Sequence, residues 1–369
     1  MADSRIEKLA ELVVDYSVAV RPGDLVLIHG STPAEPLLKE IFIRILQAGG
    51  QPLMIPALAG IDELFFRYAS DEQLKYIPKP LEMIMETYDV RISILAESNT
   101  KALSNVEPGK MILHQRARKD LMSTFMRRSA AGELRWIVVP FPTNAFAQDA
   151  EMGLSEYEDF LYASCLPDMS DTVGYWQNFS RRQQKIVDWL KGKNQVRIKG
   201  TETDLRLSIE GRTFINCDGH YNLPDGEIFT GPVEDSIEGN VYFSYPAIYH
   251  GKEVTGVRLW FEHGKVVKAN AEKNDAFLNK TLDTDEGSRF VGEFAIGTNE
   301  KINNFTHEIL FDEKIAGSFH MALGAGYPET GSKNESSIHW DMICDLRDGG
   351  EIWVDDELLY KNGKFVVEF

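Results

Sequence analysis

The chain has 369 residues, 43% of them hydrophobic, with six Trp and twenty Phe, enough for more than one packed core and unlike a disordered composition. A formal net charge of −18 argues against nucleic acid or an anionic lipid surface as the main partner. No apolar run approaches the roughly 18 residues of a membrane-spanning helix, so no membrane partner is expected. Cys165, Cys217 and Cys344 are scattered, with no CxxC pair, so neither a disulfide framework nor a thiolate zinc site is expected. The N-terminus lacks an apolar signal core, and the expectation is a cytoplasmic protein.

In chain order, Ile6, Leu9, Val13, Tyr16 and Val20 fall at helical spacing and predict an amphipathic helix over 5–20. Arg21-Pro22-Gly23-Asp24 breaks it, and Leu25–His29 reads as a buried strand. Thr32-Pro33-Ala34-Glu35 has the form of a capping box with proline at the first helical position. The helix it opens runs to about Ala48 and stops at Gly49-Gly50, and Pro52–Pro56 gives a second strand. The alternation continues with a helical region over 61–88, a strand at Arg91–Leu95, helix over 115–130 and a strand at Arg135–Pro140. Such alternation predicts an open α/β domain on a mainly parallel sheet. Only one glycine of a dinucleotide fingerprint follows the first strand, and no phosphate-loop lysine is present, so a covering or walling role is favoured there over nucleotide binding.

Helices are predicted over Ser155–Cys165 and Ser180–Leu190, after which the texture changes. Short alternating strands follow at Val196–Lys199, Leu205–Ile209, Thr213–Asn216, Val241–Tyr245 and Val257–Glu262, punctuated by Gly, Asn and Asp. The reading is an α/β domain over 1–190 and a β-rich α+β domain over 191–369.

The second domain holds the chemistry-bearing residues. His320 and His339 flank a loop with Gly324, Gly326, Pro328 and Gly331, and His339 and Asp341 stand two apart in what reads as a strand. Residues i and i+2 leave a strand on one face, so an imidazole and a carboxylate point the same way. They form either metal ligands or a hydrogen-bonded core pair. Glu227 follows a Pro-Asp-Gly turn at the start of an apolar strand, and Glu293 lies inside the apolar run Arg289–Thr298. A carboxylate buried there needs an ion-pair partner or a metal.

Four segments carry a resemblance: Pro224–Pro232, Gly292–Asn299, Leu310–Gly324 and Tyr327–Ile343. With them the chain resembles the thermophilic metallo-aminopeptidases of the aminopeptidase T and aminopeptidase S type. The likeness extends into the N-terminal half, at Arg21–Asp24 and at Tyr157-Glu158 before Cys165, while the loop between His320 and His339 is shorter than that of bacterial members. The resemblance implies release of N-terminal residues from peptide substrates at a two-metal site in which a shared water is activated. Its ligands would be Glu227, Glu293, His320, Tyr327, His339 and Asp341, with Glu293 bridging, and a homodimer is implied. Glu293 and Tyr327 are the expected catalytic residues, Tyr327 either as a ligand or as a donor to the oxyanion. Glu329 or Glu335 would serve as general base or amine-binding group, and His220 is a candidate to line the site. Imidazole and carboxylate donors without thiolate suit zinc, cobalt or manganese better than magnesium. An amidohydrolase or dipeptidase acting on other small amides, and a non-catalytic metal-stabilised peptide-binding protein, are the alternatives.

Overall fold

The computed structural model describes residues 3–367. These residues form two compact units, one running to Tyr175 and including Gly219–Pro224, the other comprising Trp176–Asp218 and the chain from Asp225 onward.

The first unit is built on strands β1 (Leu25–Ser31), β2 (Gln51–Ala57), β3 (Val90–Leu95) and β4 (Arg135–Pro140). They pair in parallel in the order β2-β1-β3-β4. Intervening helices cover the sheet, as parallel connections require. Helix Glu35–Gln47 buries Leu37, Leu38, Ile41 and Ile45 along one face. A Cβ at Gly30 would lie 2.9 Å from the Ile94 Cβ, so glycine there permits the close approach of β1 and β3.

Several predicted boundaries shift for physical reasons. The capping box at Thr32 does not form; Thr32–Ala34 is a 3₁₀ turn without a side-chain cap, leading into the helix at Glu35. The region 61–88 is three short helices, Ile61–Tyr68, Asp71–Lys75 and Lys79–Thr87. A capping box at Ser70 and Gln73 starts the second, and Pro78 restarts the third. The opening helix is α-helical over Ser4–Glu11 and widens to π-type turns over Leu12–Ser17. Helix also begins earlier than 115, at Pro108, and is interrupted at Arg118.

In the second unit, helix Thr172–Leu190 delivers Ile186, Val187 and Leu190 into the β core. The compact unit therefore starts with the helix, before the change in sequence texture near 190. Strands follow in order: β5 (Gln195–Gly200), β6 (Thr203–Ser208), β7 (Ile215–Cys217), β8 (Glu227–Thr230), β9 (Glu238–Phe243), β10 (Ala247–Tyr249) and β11 (Lys252–Val254). Then come β12 (Val257–Glu262), β13 (Lys265–Asn270), β14 (Val291–Gly297), β15 (Ser318–Gly324), β16 (His339–Asp345), β17 (Glu351–Val354), β18 (Glu357–Lys361) and β19 (Lys364–Phe365). An eight-stranded sheet has the order β13-β12-β9-β6-β5-β17-β18-β19, and a five-stranded antiparallel sheet has the order β16-β15-β14-β8-β7.

One core joins the two sheets. Phe294, Phe319, Met321, Trp340 and Met342 from the five-stranded sheet pack with Ile198, Leu205, Val241 and Leu259 from the larger one. Alternation along each strand sends the intervening side chains to the opposite face. That face carries Glu227, Glu293, His320, His339 and Asp341.

Candidate metal centre

Register explains the cluster. His320 lies opposite Ala295 on β14 and Ile343 on β16, while Ala322 lies opposite Glu293 and Asp341. The small Ala295 and Ala322 leave room between the larger polar side chains. Glu293 reaches this face through a bulge between Val291 and Glu293. Val291 and Phe294 are both in the apolar core, and the extra residue switches the alternation so that Glu293 points away from it. The bulged residue is Gly292, where a Cβ would sit 2.2 Å from the Ala325 carbonyl oxygen. That same carbonyl lies 2.8 Å from Nδ1 of His339. It fixes the tautomer as Nδ1–H, leaving Nε2 to face the carboxylates.

His320 Nε2 is 3.3 Å from Glu227 Oε2 and 3.5 Å from Glu293 Oε1. His339 Nε2 is 3.4 Å from Glu293 Oε2 and 3.5 Å from Asp341 Oδ1. Each oxygen of Glu293 thus serves a different imidazole. Both ring nitrogens of His320, Glu227 Oε2 and Asp341 Oδ1 are buried without a hydrogen-bond partner. Burying such atoms unpaired is expensive, and His320 Nε2, Glu227 Oε2 and Asp341 Oδ1 are atoms that cations can satisfy. Donors bound to one tetrahedral ion at about 2.0–2.2 Å would stand about 3.3–3.6 Å apart, the spacing seen here. Overlapping triads, Glu227/Glu293/His320 and Glu293/His339/Asp341, meet at Glu293. The donor set fits divalent metal.

The centre's electrostatics run the same way. Burial alone would lower both imidazoles, but the carboxylates outweigh it. Glu293 and Glu227 lift His320 to about 9, and Asp341 with Glu293 lifts His339 to about 11. Burial pushes Glu227 up to about 8, against the pull of Lys314. Burial also opposes ionisation of Glu293 and Asp341, yet the imidazoles hold both below the ordinary carboxylate value. Without metal the centre keeps its balance by holding protons; a divalent cation displaces them.

Tyr327 stands at the rim, with its ring centroid 5.3 Å from that of His339 and 5.4 Å from that of Phe229. Desolvation and the carboxylates of Glu293, Asp341, Glu313 and Glu227 push its phenol far above its ordinary value. Glu329 and Glu335 are exposed on the loop. His220 belongs to the first unit and packs on Tyr16 at a centroid distance of 4.5 Å. Two residues of the cluster went unassigned in the sequence reading. Glu313 offers a carboxylate oxygen beside His320 and Asp341, and the fully buried Lys314 lies against Glu313 and 3.5 Å from Glu227 Oε1.

A family model described as thermophilic metalloprotease (M29) matches residues 2–365. The chain belongs to that family. As a member of it, this chain is a metal-dependent peptide hydrolase, which agrees with a donor set free of thiolate. Aminopeptidase 2 of Geobacillus stearothermophilus is 26% identical, covering 94% of this chain and 93% of its own. Aminopeptidase T of Thermus thermophilus is 26% identical over 97% of this chain and 95% of its own. The solved structure of wild-type AmpT from Thermus thermophilus superposes with a TM-score of 0.86 at 24% identity, covering 98% and 99% of the two chains. The 2,5-dihydroxypyridine dioxygenase of Pseudomonas putida KT2440 superposes at 0.62 with 13% identity over 98% and 97%. These two structural likenesses are of fold, and a fold of this kind hosts more than one chemistry.

Proposed function

We propose that this chain is an aminopeptidase that releases N-terminal amino acids from peptides with two divalent metal ions, held by Glu227, Glu293, His320, His339 and Asp341. The observation that carries the reading is Glu293, whose two oxygens face the two imidazoles separately. The carboxylates of Glu227, Glu293, Glu313 and Asp341 gather there to offset the charge of the metals. The relatives' names support the exopeptidase assignment.

Bound at this donor set, the metals would lower the pKa of a water molecule and polarise the scissile carbonyl. The protein's own groups do the rest. Glu293 aligns the two halves of the centre, and Ala325 fixes the orientation of His339. Glu313, beside His320 and Asp341, is the carboxylate placed to take the proton of the attacking water and pass it to the leaving amine. Tyr327, at the rim, would donate a hydrogen bond to the developing oxyanion. Zinc, cobalt and manganese all suit imidazole with carboxylate.

The test is metal content per chain together with hydrolysis of leucyl amide and N-acetyl-leucyl amide, before and after chelation. About two metals per chain, loss of leucyl amide hydrolysis on chelation, recovery with zinc or cobalt, and no turnover of the acetylated compound are expected. Equal turnover of the acetylated amide would replace the aminopeptidase with a broader amidohydrolase.

A further inference from the structure

Lys314 has no assigned part in the proposed chemistry, yet it is completely buried. Arg128 and Arg212 are buried cationic side chains as well, and Arg212 is paired with Glu234 at 2.6 Å. Arg128 is accounted for by backbone carbonyls, whereas Lys314 is surrounded by charge. Its ammonium contacts Glu313 and lies 3.5 Å from Glu227 Oε1, and Asp225 also acts on it electrostatically.

The niche is built from fixed backbone. The Lys314 carbonyl accepts from the Asn299 backbone N–H at 3.1 Å, and Asn299 Nδ2 donates to the Asp225 carbonyl at 2.8 Å. Asn299 therefore joins the Lys314 turn to the Asp225 turn. A Cβ at Gly226 would fall 2.8 Å from the Asn299 Cβ, which keeps the two turns this close. Beside Glu227, whose cross-strand partner is Cys217, the buried Cys217, Asp225 and Glu227 offer Sγ and oxygen atoms within 4.8 Å of one another. A thiolate with two carboxylates is a strong donor set for zinc or cadmium. It adjoins the main centre and shares Glu227 with it.

We propose that Lys314 is a resident cation that closes this thiol–carboxylate niche to metal and leaves Glu227 only Oε2 with which to bind on the His320 side. The carboxylate is split between the two tasks. Oε1 faces the ammonium, and Oε2, without a hydrogen-bond partner, faces His320 Nε2 at 3.3 Å. A second cation beside the Lys314 ammonium would meet like-charge repulsion in a medium of low dielectric constant. Lys314 is thus a positioning residue. It makes Glu227 monodentate and confines exchangeable metal to the donors around His320 and His339. The inference rests on the metal-centre reading for its functional meaning, but its test uses the thiol of Cys217, a donor the main centre does not have.

Cadmium provides the probe, because its bond to thiolate absorbs in the ultraviolet and metal bound after dialysis can be counted. Wild-type protein should show no cadmium–thiolate absorption that depends on Cys217. Lys314→Met should gain that absorption and about one further cadmium per chain. The double variant Lys314→Met/Cys217→Ser should lose both gains, and Lys314→Arg should behave as wild type. Should Lys314→Met not fold, Lys314→Gln removes the charge while keeping hydrogen-bond donors and reads the same two quantities. A wild-type absorption abolished by Cys217→Ser would overturn the proposal, since the niche would then be open with the lysine in place. A folded, charge-neutral variant with the wild-type cadmium count and no absorption would overturn it equally. Loading of the main centre, which has no thiol, leaves the thiolate band unmoved, so that Cys217-dependent band distinguishes failure of the two-metal reading from failure here.

Discussion

Asp285 accepts two hydrogen bonds from Ser337, from the backbone N–H at 2.7 Å and from the hydroxyl at 2.6 Å. Ser288 and Ser336 donate to the same carboxylate, each at 2.7 Å, and Ser337 lies two residues before His339. Asn334 Nδ2 adds bonds to the Gly287 and Gly324 carbonyls at 2.9 and 2.6 Å. The loop that closes the metal face is therefore clamped to the turn before β14.

This clamp gives a pH-dependent stability term. Desolvation opposes ionisation of Asp285, but the donors from Ser337, Ser336 and Ser288 prevail and hold its pKa below the ordinary carboxylate value. A depressed folded-state pKa contributes stability above the unfolded value of about 3.9 and loses it as pH falls through the folded one. Asp285→Asn should cost about 2 kcal/mol at pH 7, and the gap should close as pH drops below about 4. Urea midpoints of both proteins across that range check it; a gap independent of pH would show that the charge contributes nothing.

Some of this was legible in the sequence and some was not. The His339/Asp341 pair was visible because period-two alternation is local, and Glu227 and Glu293 stood out as acids in apolar runs. Glu313-Lys314 was not, because Asp-Glu-Lys reads as a solvated charge run, and only folding against β8 and β15 buries it. The bulge at Gly292 was equally hidden, since the Ala325 carbonyl that leaves no room for a side chain there is distant in sequence. The helical region expected over 61–88 is present, but its division at Ser70 and Pro78 was hidden by the periodicity running through it.

Glu293→Gln tests the shared carboxylate. The amide keeps the shape but presents one oxygen and one NH2 group, which only donates, so a single imidazole side can be served. Loss of several kcal/mol of charge stabilisation corresponds to a fall in kcat of about 10³-fold or more. The far-ultraviolet circular dichroism should be unchanged. Metal content and single-turnover hydrolysis of leucyl amide give the answer, and wild-type turnover would remove Glu293 from the centre.

Arg128 offers a stability prediction in the first unit. Its guanidinium donates to the carbonyls of Met85 at 3.0 Å, Tyr88 at 2.8 Å and Glu133 at 3.1 Å. It joins the end of helix Lys79–Thr87 to the turn before β4. Replacing it with Met leaves these carbonyls without a buried donor, at a cost of about 3 kcal/mol. Thermal unfolding should show the loss, while kcat per folded molecule stays at the wild-type level. A normal midpoint would mean that water takes over the three carbonyls.

Tyr327→Phe separates the two roles open to the tyrosine. The phenylalanine ring preserves contact with His339 and Phe229 and removes only the hydroxyl. If the hydroxyl donates to the oxyanion, kcat falls by about 10²–10³-fold, KM is little changed, and metal content equals that of wild type. If it is a ligand, metal affinity falls as well, and added metal restores part of the rate. Metal titration of the variant alongside its kcat therefore decides between the roles, with unchanged affinity at lowered kcat as the expected result.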